Sequence, residues 1–190
     1  MPIRPYSLHS LSVTEEYTPG QELIYRCEKN MREELPEVLT FEEWAGLVES
    51  VWYEIRERIE FHDLAFMRGK WEQKEVDGAV QWVKRQPPQR PPTPVWIEKC
   101  PESEVITWSA LWASPNIIAA GHKPLHPTWA IHELAHMVVY YEHGYTAAIN
   151  ETDNGHGTLW KKCYLDLLAE FLPRHAEILT KTFREQKVDI

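Results

Sequence analysis

The sequence predicts an α+β domain: helices first, then a short, mostly antiparallel sheet, then one helix bearing two histidines, and helices again at the C-terminal end. Three observations carry this expectation. Apolar residues recur at helical spacing between residues 19 and 59 and again beyond Thr158. Between them lie short runs rich in β-branched and aromatic residues, bounded by Pro, Ser, Asn and Gly. Finally, the stretch after Pro127 is apolar in nearly every direction around a helix, so that helix is expected to be buried.

The elements follow in order. Residues 1–18 carry prolines and serines with little periodicity and are expected to form a flexible N-terminal arm, leaving 19–190 as a single domain. From Pro19, the positions Leu23, Ile24, Cys27 and Met31 mark a first helix that Pro36 ends. Thr40 with Glu43 three residues on forms a capping-box pattern, and Trp44, Leu47, Val51, Ile55 and Ile59 continue one apolar stripe. The segment from Gly69 to Gln86 has no decisive period. The run QPPQRPPTP at 86–94 lacks too many backbone donors for helix or central strand and is expected to be a stiff connector. PVWIEK, EVITWSALW and NIIAAG read as two or three strands. Pro127 suits the first turn of the next helix, expected to reach about Glu142 before Gly144. A further helix begins at Thr158, and Pro173 separates it from a terminal one through Phe183.

Composition narrows the function. A formal net charge of −9 and a pI near 5.5 leave no strong nucleic-acid signal and disfavour anionic membranes. No run approaches the roughly 18 apolar residues of a membrane span, and the first residues carry no export signal, so a cytoplasmic location is expected. Cys27, Cys100 and Cys163 are odd in number and far apart, which suits reduced thiols rather than a disulfide framework or zinc ribbon. The sequence does not specify the oligomeric state.

The chemistry concentrates in His132-Glu133-Leu134-Ala135-His136, an H-E-x-x-H pattern. Residues four apart on a helix stand one above the other, so two imidazoles can converge on one ion. Glu133 lies roughly 100° around the helix, off the chelating line, where a carboxylate suits a base better than a ligand. With nine histidines in 190 residues the pattern is expected by chance only about 0.05 times in such a chain. Two histidines and a glutamate on a buried helix also need partners, and a zinc ion with its water satisfies all three.

A catalytic zinc takes three protein ligands and keeps one position open. His156, between Gly155 and Gly157, is the candidate third ligand, with Glu151 and Asp153 as alternatives; His143 falls out of register. The expected chemistry is metal-assisted hydrolysis, with Glu133 taking a proton from water and passing it to the leaving group. His122, His126, Tyr140, Tyr141, His143 and Tyr145 are near enough in sequence to supply an oxyanion stabiliser, without a basis for choosing one. Two other classes stay open: a zinc hydrolase of a non-peptide bond, and a metal-bearing interaction or regulatory protein without turnover.

The run His132-Glu-Leu-Ala-His136 followed by His156-Gly157-x-x-Trp160 resembles zincin-type metallopeptidases of SprT-like organisation, over about 40 residues from Thr128 to Leu168. The resemblance implies a zincin-like fold, a peptide or protein substrate, His132, His136 and His156 as zinc ligands, and Glu133 as base. The chain departs from that pattern in lacking a cysteine-rich zinc ribbon and in being acidic, which removes the ground for transferring a DNA-linked role.

Overall fold

The computed structural model describes residues 17–59, 71–76, 79–84, 96–99, 107–109, 117–120, 125–150 and 152–190. Most of the expected arm, the proline-rich connector, Cys100, His122 and Glu151 lie outside these residues.

Helix α1 spans Pro19–Glu34. It starts where Thr18 accepts the Gln21 backbone N–H at 3.1 Å, with proline at the first helical position, where no donor is lost. Helix α2 spans Phe41–Ile55 and opens on the expected capping box: Thr40 N–H donates to Glu43 at 2.8 Å, and Glu43 N–H donates to Thr40 Oγ1 at 3.2 Å. The apolar stripe outlasts this helix, which ends at Ile55, yet Ile59 still packs into the core. A lone bridge between Leu39 and Leu125 ties the α1–α2 connection to the entrance of the next helix.

The strands are short. β1 (Trp71–Val76) and β2 (Ala79–Lys84) pair as an antiparallel hairpin in the segment without a decisive period. β3 (Trp96–Lys99), β4 (Thr107–Ser109) and β5 (Ile117–Ala120) take the order β3-β5-β4, with β3 parallel and β4 antiparallel to β5. The expected α+β, zincin-like domain built on a mostly antiparallel sheet is therefore corrected, because the packed framework is helical. Strands of three to six residues offer little face to a core. Among the residues whose burial is described, the largest fully buried side chains, including Trp44, Trp52, Trp160, Tyr164 and Phe183, stand on helices, with Ile118 on a strand.

Helix α3 spans Pro127–Asn150 with a break at Gly144, whose φ of 83° is open to glycine and strained for other residues. The helix was expected to stop before this glycine; instead the chain turns there and resumes helical geometry. After the single turn α4 (Thr152–Gly155) come α5 (Thr158–Phe171) and α6 (Pro173–Glu185). Helix α3 packs on α2 and α5, and α6 packs on α5 and α1. As its composition predicts, α3 is buried on nearly every side from Pro127 to Tyr141, with Trp129 and His136 less so. Among the described residues no helix is long and apolar enough to cross a membrane.

Candidate metal centre

One turn of α3 brings His132 and His136 together, with ring centroids 5.2 Å apart. His156 arrives from the α4–α5 connection, its ring 5.0 Å from His132 and 4.7 Å from His136. One ligand nitrogen from each lies within 4.8 Å of the others. His132 and His156 are buried and His136 is half-buried.

The ring orientations suit a cation. His132 Nδ1 stands 2.9 Å from Glu28 Oε1, and a carboxylate there makes Nδ1 the donor. His156 Nδ1 stands 3.1 Å from the Asp153 carbonyl, which can only accept. Both rings thus spend their outward nitrogen on an acceptor and turn Nε2 to Nε2 at 3.1 Å. Two nitrogens held about 2.0–2.1 Å from one tetrahedral zinc would be about 3.3–3.4 Å apart, so the pair needs only a small movement to fit. Three neutral imidazoles are also a donor set that zinc accepts well.

Burial lowers the His136 pKa well below its ordinary value, and the neighbouring His156 and His132 lower it further, which keeps that ring a neutral ligand. Burial also opposes charge on His132, but the Glu28 carboxylate and its hydrogen bond outweigh it, with help from Glu133, so the His132 pKa is raised. At Glu28 burial favours the neutral acid. The His132 charge and hydrogen bond, then Arg32 at 3.7 Å and Tyr164, prevail and hold the carboxyl below its usual range. The Tyr164 hydroxyl sits beside this carboxylate, short of a well-formed hydrogen bond.

The floor is aromatic. Trp160 has its centroid 4.5 to 5.3 Å from all three imidazoles, stacks on Tyr164 at 4.7 Å, and directs its N–H to the His132 carbonyl at 3.4 Å. The H-G-x-x-W spacing therefore places the tryptophan one turn into α5, directly against the ring that His156 contributes.

Asp153, an alternative ligand by sequence, has another task. Its carboxylate accepts from Thr18 Oγ1 at 3.0 Å, at the N-terminus of α1, while its carbonyl holds both the backbone N–H (3.2 Å) and the ring of His156. A Cβ on Gly20 would overlap that carboxylate, so a larger residue there would require the Asp153 side chain to shift.

Compared with family models, curated proteins and solved structures, the chain matches none.

Glu133 is buried, and its charge acts on both His132 and Tyr25. Of the candidate oxyanion stabilisers, His126 has both ring nitrogens engaged, Nδ1 by Thr128 and Nε2 by the Leu35 carbonyl at 2.8 Å each. Tyr140 and Tyr141 are core residues, and exposed His143 stands 4.0 Å from Glu142. Sequence reasoning missed the contribution of α1. Gln21, Tyr25, Glu28 and Arg32 follow one another at intervals of four, three and four, a polar row on one face of that helix. That row was readable beside the apolar stripe of Ile24, Cys27 and Met31. Its partners on α3 were not.

Proposed function

We propose that this protein is a zinc-dependent hydrolase that cleaves peptide bonds, with His132, His136 and His156 holding the metal and Glu133 as general base. The observation that carries the reading is the convergence of three imidazoles whose outward nitrogens at His132 and His156 are committed to Glu28 and to the Asp153 carbonyl, leaving Nε2 for a cation. A zinc ion held there supplies Lewis acidity and brings the pKa of a water toward about 7. Glu133, next to a ligand in sequence yet not one of the converging three, takes the proton from the attacking water and returns it to the departing amine nitrogen. A carboxylate beside the three imidazoles suits a site that moves a proton, since a purely structural metal site closes its fourth position and needs no base. The likeness of H-E-x-x-H and H-G-x-x-W to SprT-like metallopeptidases favours a peptide bond over other acyl bonds.

Two measurements on the same preparations test this. Metal analysis should give one zinc per chain for wild type and Glu133→Gln, and loss in His156→Ala. Zinc-loaded wild type should cleave unfolded casein while loaded Glu133→Gln does not. Equal cleavage by both would remove Glu133 as base. Metal without cleavage of protein or peptide substrates would leave a binding centre without peptidase activity.

A further inference from the structure

The polar row on α1 is only half explained by the ligands. Glu28 serves His132 and Arg32 serves Glu28, but Tyr25 serves neither. Its ring stands edge-on to His156, centroids 5.4 Å apart at 80°, and lies 6.1 Å from His132. Trp160, fully buried, touches all three imidazoles and closes the floor, whereas Tyr25 is half-buried and borders only two, at the rim of the cluster. Tyr17 covers the outer edge of Tyr25 at 5.2 Å and 83°, itself 58% exposed, so the rim is aromatic and reaches solvent.

The hydroxyl is oriented by an acceptor role. Gln21 Nε2 donates to Tyr25 Oη at 3.0 Å, from a side chain that is itself buried. A phenol whose oxygen already accepts one hydrogen bond keeps its own proton to give.

We propose that Tyr25 is a catalytic residue of the site, donating a hydrogen bond to the carbonyl or oxyanion oxygen that a substrate or inhibitor places at the metal. This rests on the reading that the three histidines hold zinc. It answers the search for an oxyanion stabiliser with a residue from α1 rather than from the neighbourhood of the motif. The ligand class follows from the donor: a group with a negatively charged or strongly polarised oxygen, such as a carboxylate, a hydroxamate or a carbonyl under attack.

The test uses cobalt in place of zinc in the full chain, because cobalt's visible bands report its coordination without turnover. Acetohydroxamate is titrated into cobalt-loaded wild type and Tyr25→Phe, a change that removes one oxygen and keeps the ring packing. The expected result is equal cobalt content, the same spectrum before ligand, and about 10- to 100-fold weaker acetohydroxamate binding by Tyr25→Phe, the loss of one hydrogen bond to a charged group. Equal acetohydroxamate affinity with cobalt bound in both overturns the role of Tyr25 and leaves the metal centre standing. Cobalt lost from Tyr25→Phe alone also overturns it, since the residue would then support the site rather than bind its ligand. Failure of wild type to bind cobalt or zinc overturns the three-histidine reading and this inference together.

Discussion

Replacing Glu28 by glutamine keeps the shape of the contact to His132 Nδ1 but removes the charge behind it. The carboxylate, 2% exposed, fixes the ring tautomer and makes Nε2 a better donor to a cation, so Glu28→Gln should weaken zinc binding by about 10- to 100-fold, read by competition with a chromophoric chelator. Unchanged affinity would show that packing against Trp160 alone orients the ring. A second pair of histidines makes a pH prediction. His126 and His175 lie 5.4 Å apart, and burial first, then cationic neighbours, lowers both pKa values despite the opposing Leu35 carbonyl and Glu37. A histidine depressed in the folded state contributes stability that is present above its unfolded pKa, about 6.5, and is lost as pH falls through the folded value. Metal-free wild type should therefore lose more melting temperature between pH 7.5 and pH 5 than His175→Gln loses over the same interval. A parallel pH dependence in both proteins would assign no role to His175. The two histidines and the glutamate of the motif were legible because their spacing is local. Glu28 was not, since its partner is 104 residues away and nothing in the sequence sets the register between them.

At the scale of elements, α1 and the His156 turn are joined by the bond of Thr18 to the Asp153 carboxylate, which a Cβ on Gly20 would displace. Gly20→Ala should push the Asp153 carboxylate off Thr18 and disturb the carbonyl that holds His156, lowering both thermal stability and zinc affinity although residue 20 touches no ligand. If zinc affinity holds while stability falls, the turn keeps its shape without α1. The capping box of α2 offers the contrast. Thr40→Ala should cost about 0.5–2 kcal/mol of stability by denaturant unfolding and leave zinc affinity unaltered, because its bonds to Glu43 lie on an exposed helix end with no path to the histidines. That cap was plain in the sequence, as were Pro19 at the start of α1 and Pro173 between α5 and α6. The passage through Gly144 was not, because a glycine after a helical run marks an end whether or not the chain turns back into helix beyond it.

For the whole molecule, the β-branched runs before α3 were expected to form a short sheet within an α+β fold, whereas the packed framework among the described residues is helical. Runs of that length form strands readily, but pairing partners far apart in the chain decide whether they make a core sheet or a small annex, and β3 with β5 even pairs parallel. What the sequence did carry was the all-round apolar character of α3, which buries His132 and Glu133 of the motif and leaves His136 half-buried. The histidine cluster joins α3 to the α4–α5 connection directly and to α1 through Glu28 and Asp153, so three separate parts of the chain meet there. His132 and His156 set Nε2 against Nε2 at 3.1 Å, and the Glu28 carboxylate favours a proton on His132 against the opposing effect of burial. Zinc held by these imidazoles would compete with protons for them, so its affinity should fall on acidification, and because the unfolded chain cannot assemble the cluster, binding would add directly to folding stability. At a free zinc concentration about 1,000 times Kd the gain is about 4.1 kcal/mol. Chelation should therefore lower Tm sharply in wild type and in Glu133→Gln, and hardly at all in His156→Ala, as read by calorimetry at pH 7.5. A chelator that moves all three equally would mean that the metal, if it binds, binds elsewhere.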